Sequence, residues 1–308
     1  MLSPNQKTIN KPIKLTGVGL HNGIIADLVI NPANENFGIK FCRIDISENN
    51  LISANFKNVI EPILCTKISN KDGITVSTVE HLMAAFFGEG IDNALVEVNA
   101  SEIPILDGSA SEFVEAIRSA GIKEQSALRQ FIKVEKKIEI REGEKFISIE
   151  PSKDDLIIDF EIVYKNPLIR TRRKEFRLSN DKLSEIYNSR TFCLYEDIDF
   201  IKSKGLAKGG SLENAVVVKN NEILNDDGLR NRHEFVYHKI LDCIGDLMLS
   251  GNRIIGHVIT SQGGHALTNK LLLKFFSDKS NWSLKGNKSI NKKAQINEAL
   301  KKPLAVGI

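Results

Sequence analysis

The chain has 308 residues, of which 42% are hydrophobic and 26% charged, and a formal net charge of +3. That balance describes a globular protein with room for one large or two medium cores. So small a charge, much of it from seven lysines between Lys279 and Lys302, argues against nucleic acid as a principal partner.

Along the chain, "ADLVI", "ALVEVN", "FISIEP", "LIIDFEIVY" and "NAVVVK" have the β-branched composition of strands. They alternate with apolar patterns of helical period at "STVEHLMAAFFGEG", "ASEFVEAIRSAG", "DKLSEIYNS", "HEFVYHKILDCIGDLML" and "HALTNKLLLKFF". The mixture predicts an α+β fold. Short turn signals such as "REGEKF" and "NNEILNDDG" predict antiparallel strand groups. The glycine-rich "LTGVGLHNG" lacks the spacing of a nucleotide loop. Four cysteines without CxxC spacing read as free thiols in a reducing compartment. No apolar run reaches signal-peptide length or the roughly 20 residues of a membrane span. The expectation is a soluble, cytoplasmic monomer with no integral membrane segment.

The first and fourth of these helices echo one another: Val79, His81 and Gly88 align with Val236, His238 and Gly245. Two similarly built halves follow, a first domain over 1–126 and a second over 127–277, with a lysine-rich extension over 278–308. In the fourth helix His238, Asp242 and Asp246 recur at every fourth position among apolar neighbours, so they share one face. Such a stripe also describes i,i+4 hydrogen-bonded partners. If the halves meet through their helices, His81 joins His238 and Asp242 in a set of three ligands suited to Zn²⁺, with a fourth position open as in catalytic sites. Glu80 then stands where a general base belongs. His265 opens a helix, whose dipole disfavours its charged form unless a carboxylate such as Asp246 faces it.

Several longer stretches carry a family resemblance: "TGVGLH", "STVEHLMAA", "GIDNALVEVNASEIPILDGSA", "SRTFC", "GLAKGGSLENAVVV", "LNDDGLRNRHEFVYHKILDCIGDL" and "GHALTNKLL". In order from about Thr8 to Phe276, the chain resembles the zinc-dependent UDP-3-O-acyl-N-acetylglucosamine deacetylases. The resemblance implies two layered sheet and helix domains packed through their helical layers, with the active site between them. It implies hydrolysis of the N-acetyl group of a UDP-linked, 3-O-acylated glucosamine, with release of acetate, the committed step of lipid A biosynthesis.

Carried over position by position, His81, His238 and Asp242 match the zinc ligands and Glu80 the general base. His265 matches the residue that protonates the leaving amine, Asp246 its orienting partner, and Thr191 a hydroxyl on the oxyanion. Lys239 and Lys145 match basic residues near the sugar or diphosphate, and His21 and Asp107 match residues at the site's edge. Asp107 fits a turn or helix cap equally. Tyr164 matches a residue that stacks on the uracil. Phe192 to Val217 matches an insert that forms an acyl channel, with Phe192, Leu20, Ile198, Leu212 and Val217 near the substrate. Three positions depart from the pattern: Asn166 precedes Pro167 where relatives have histidine, Ala207 stands where cysteine is common, and Gln262 replaces a basic residue. The alternatives are a metal-dependent amidase for another N-acylated substrate and a non-catalytic ligand-binding protein.

Overall fold

A computed structural model describes residues 4–286. The first half runs β1 (Asn5–Ile9), β2 (Ile13–Val18), β3 (Ile25–Pro32), β4 (Ile39–Arg43), β5 (Leu51–Ser53), β6 (Lys67–Ser69), β7 (Thr75–Ser77), α1 (Glu80–Glu89), β8 (Ala94–Val98), α2 (Ser111–Ala120) and β9 (Ile122–Leu128). The rest runs β10 (Gln130–Val134), β11 (Ile138–Glu142), β12 (Lys145–Glu150), β13 (Leu156–Ile162), β14 (Arg172–Arg177) and α3 (Leu183–Tyr187). It continues through β15 (Phe192–Leu194), α4 (Ile198–Ser203), β16 (Val216–Lys219), β17 (Glu222–Ile223), α5 (Glu234–Met248), β18 (Arg253–Ser261), α6 (His265–Ser277) and β19 (Trp282–Gly286). The fold is α+β.

The sequence echo has a topological counterpart. One sheet has the order β2-β3-β8-β4-β5, in which β8, the strand after α1, lies antiparallel to β3 and parallel to β4. In the other sheet β18, the strand after α5, lies antiparallel to β12 and parallel to β13, with β11 and β14 outside them. The first residues of β18 also pair with β10, which carries β19 on its other edge.

Purely antiparallel groups are therefore not what forms. The pairs β4–β8, β13–β18, β10–β18 and β15–β16 are parallel, because a strand reached by a long crossover through a helix returns in the direction in which the first one ran. The hairpins are the antiparallel part. Sequence patterning also missed α4, and it read the segment that holds β17 only as a turn. Of the expected lysine-rich extension, Trp282–Gly286 is a strand on β10, and residues 287–308 lie outside the described residues.

Helix α1 packs on α5, with α2 against α1 and α6 against α5. The side chains of α1 from Glu80 to Phe87 are all buried, as in a helix enclosed on every side. Two glycines permit this closeness. A Cβ on Gly245 would collide with the backbone of Glu80, and one on Gly88 would occupy the place of the Tyr187 hydroxyl. Among the described residues no helix is long and apolar enough to cross a membrane.

Candidate active site

The α1–α5 contact brings the three predicted ligands together. His81 comes from the first turn of α1, and His238 and Asp242 lie one turn apart on α5. Asp242 Oδ1 is 3.5 Å from His81 Nε2 and 3.4 Å from His238 Nε2. The two imidazole planes are perpendicular, with centroids 5.1 Å apart. Tetrahedral bonds of about 2.0–2.2 Å separate ligand atoms by roughly 3.3–3.6 Å, so these atoms already stand at the edges of a tetrahedral site. All three residues are buried, and among the described residues Asp242 Oδ1 has no hydrogen-bond partner. A bare buried oxygen of this kind is costly without a cation.

The surroundings prepare these side chains for a metal. His238 Nδ1 lies 3.1 Å from the Ser189 carbonyl, and donation to that oxygen leaves the Nε2 lone pair facing the site. Burial pushes the His238 pKa down to about 3, so its imidazole is neutral. Burial alone would raise the Asp242 carboxyl, but the His238 and Lys239 side chains outweigh it and hold the group well below the usual carboxylate range. Lys239 Nζ sits 2.6 Å from Asp242 Oδ2.

Beside this set, Glu80 Oε1 is 3.6 Å from His265 Nε2. Burial raises the Glu80 pKa to about 7 against the opposing pull of His265 and His81. The His265 pKa is raised as well. Burial would lower it, but Asp246, Glu80 and Asp242 together raise it to about 9. Its Nδ1 is 2.9 Å from Asp246 Oδ2, the pairing expected from the polar stripe on α5.

The pair opens into a cavity of about 340 Å³ lined by Glu80, His81, His238, Asp242 and His265 together with Lys145, Tyr164, Thr191, Lys239 and Gln262. A neighbouring, largely apolar cavity of about 370 Å³ is lined by Ile198, Ile201, Leu212, Val217 and Leu224. Leu20, His21, Thr191 and Phe192 line both. All the expected channel residues thus fall in one place. Phe192 stands between Tyr164 and Phe235, with ring centroids 5.7 and 4.9 Å away.

Positive φ angles occur at four lining residues, Leu64, Thr78, Ala207 and Gln262, at 60°, 61°, 51° and 54°. Each such angle costs about 1–3 kcal/mol, and strain of this kind concentrates at functional sites.

Asp107 does not reach either cavity. Its carboxylate accepts from Ser109 and Ser111 and pairs with Arg230 at 2.7 Å. This is the turn role, which a carboxylate followed by two nearby serines favours. His233 and His257 also lie outside the cavities.

Three contributors escaped the sequence reading. Thr66 contacts Glu80, Asp246 and His265. Ser189 supplies a carbonyl to His238. Buried Glu102 accepts from the His21 and Asn22 backbone amides and from the Thr78 hydroxyl, which fixes the turn that carries Leu20 and His21. The positions of Ser189 in "SRTFC" and of Glu102 in "GIDNALVEVNASEIPILDGSA" offered a signal. Thr66 reaches the site from a loop, which no spacing reveals.

Two imidazoles and a carboxylate around one point, with a buried acid and a charged imidazole alongside, define the site of a hydrolytic metal enzyme. Residues 6–277 match the family model described as UDP-3-O-acyl N-acetylglycosamine deacetylase, LpxC. The chain is 43% identical over 280 residues to the UDP-3-O-acyl-N-acetylglucosamine deacetylase of Histophilus somni, covering 90% of this chain and 92% of the relative. It is 43% identical over 282 residues to the Shewanella pealeana protein of that name, and 41% over 280 residues to that of Pasteurella multocida, with at least 90% of this chain and 92% of each relative covered. The chain belongs to this family of deacetylases, and it is an enzyme.

Proposed function

We propose that this chain hydrolyses the N-acetyl group of UDP-3-O-acyl-N-acetylglucosamine, giving acetate and the free amine for lipid A biosynthesis, with Zn²⁺ held by His81, His238 and Asp242. The observation that carries this reading is the convergence of these three ligands beside Glu80 and His265 at the junction of a polar and an apolar cavity. A sugar with a diphosphate on one side and an acyl chain on the other suits such a junction.

Zn²⁺ bound there would supply Lewis acidity towards water and the amide carbonyl. Glu80 takes the proton from the attacking water. Thr191, at the meeting of the two cavities, offers its hydroxyl to the oxyanion. His265, charged and held by Asp246, delivers a proton from Nε2 to the leaving nitrogen. Lys145 and Lys239 supply positive charge at the polar end, Tyr164 a face for the uracil, and the cavity lined by Ile198, Leu212 and Val217 the acyl channel.

The division into units at 126/127 belongs to the same reading, supported by the repeated strand order. So does action as a cytoplasmic monomer, a reading with which the four free cysteines accord.

The test is acetate release from the UDP-sugar by the purified chain, before and after chelation and with zinc restored. Loss and recovery of turnover are the expected result. No release at several acyl lengths from a zinc-loaded chain would rule out the substrate.

A further inference from the structure

We propose that Thr66 is a positioning residue that ties the base side of the site to the acid side and fixes the His265 ring proton on Nδ1. The inference rests on the reading of Glu80 and His265 as base and acid.

Thr66 lies just before β6, is 1% exposed, and touches three groups of the site. Its backbone N–H donates to Glu80 Oε2 at 3.0 Å. Its hydroxyl donates to Asp246 Oδ1 at 2.5 Å, and Oγ1 is 3.1 Å from His265 Nδ1.

Proton counting makes the arrangement directional. A carboxylate only accepts, and a hydroxyl has one proton to give. With that proton on Asp246 Oδ1, Thr66 Oγ1 faces His265 with a lone pair. The Asp246 Oδ2 atom, 2.9 Å from Nδ1, is likewise an acceptor. Two acceptors therefore converge on Nδ1 and require a proton there. That leaves Nε2, the atom that faces Glu80, as the nitrogen that exchanges its proton with the reacting groups. In the tautomer with the proton on Nε2, Nδ1 would present a lone pair to the carboxylate. Thr66 also holds Asp246 and Glu80 at a fixed separation, because its amide and hydroxyl bind one each.

The experiment compares Thr66→Val and Thr66→Ser in the zinc-loaded full chain. Valine keeps the shape and the backbone amide, while serine restores the hydroxyl. In the valine variant kcat falls by about 10- to 100-fold, the usual effect of losing an orienting outer partner, while KM stays within roughly twofold. Serine recovers kcat to within a few-fold. Independently of turnover, ¹⁵N spectra of the neutral His265 imidazole show a single Nδ1-protonated tautomer in the parent and in the serine variant, and a mixture in the valine variant, where Asp246 has lost the hydroxyl that holds it against Nδ1.

A valine variant that keeps the parental tautomer overturns the proposal whatever its kcat, and so does a serine variant as impaired as the valine one. If the parent chain releases no acetate from the UDP-sugar, the substrate reading fails, and the imidazole spectra still decide the role of Thr66.

Discussion

Glu80 Oε1 and His265 Nε2 face each other across 3.6 Å in a buried site, and their surroundings raise both pKa values, that of Glu80 to about 7 and that of His265 to about 9. As the proposed base, Glu80 acts only when ionised, and it ionises as pH rises through about 7. As the proposed acid, His265 acts only when protonated, and it loses its proton as pH rises through about 9. Turnover should therefore climb through about 7, hold a plateau, and fall through about 9. His265→Gln should abolish the alkaline limb and lower kcat by about 10²- to 10⁴-fold, as loss of a general acid does. An alkaline limb that persists in this variant would assign it to another group.

Lys239 is engaged inside the site. Its ammonium is 2.6 Å from Asp242 Oδ2, and although burial opposes its charge, Asp242 holds its pKa above the ordinary lysine value. Removing it leaves one oxygen of Asp242, a proposed metal ligand, without its partner. Lys239→Ala should weaken metal affinity by about 10- to 100-fold, measured by competition with a chelator. Unchanged affinity with a raised KM would mean that Lys239 serves the substrate alone.

What the sequence disclosed about this site followed from helical geometry. His238, Asp242 and Asp246 share a face because a helix repeats every 3.6 residues, and His81 could be matched to them through the echo between α1 and α5. Lining residues of the apolar cavity were legible only through family likeness, since Ile198, Leu212 and Val217 resemble any packed aliphatic residues. Thr66 and Asp246 are 180 positions apart, and a hydroxyl brought in by a loop carries no periodic signal. The parallel pairing of β13 with β18 was hidden for the same reason: their partnership depends on a crossover through α5.

Gly245 should be the most sensitive apolar position on α5. Any Cβ there would strike the Glu80 backbone, so alanine must push α1 away and carry Glu80 and His81 with it. Overpacking of this kind costs about 1–3 kcal/mol, visible as a lower urea midpoint, and turnover and metal affinity should fall together. An alanine variant of parental stability and activity would show that the helices can part without disturbing the site.

The apolar cavity makes a separate prediction about acyl length. Val217 is buried on its wall, and Val217→Phe would take up space otherwise open to the chain. Excluding two methylenes at about 0.8 kcal/mol each corresponds to roughly a 15-fold loss in kcat/KM. The loss should appear for a long 3-O-acyl group and vanish for a short one, because the metal ligands and the polar cavity are untouched by this change. Measuring kcat/KM against chain length in parent and variant checks this directly. A loss of equal size at every length would place the acyl group elsewhere and leave the 370 Å³ cavity without that role.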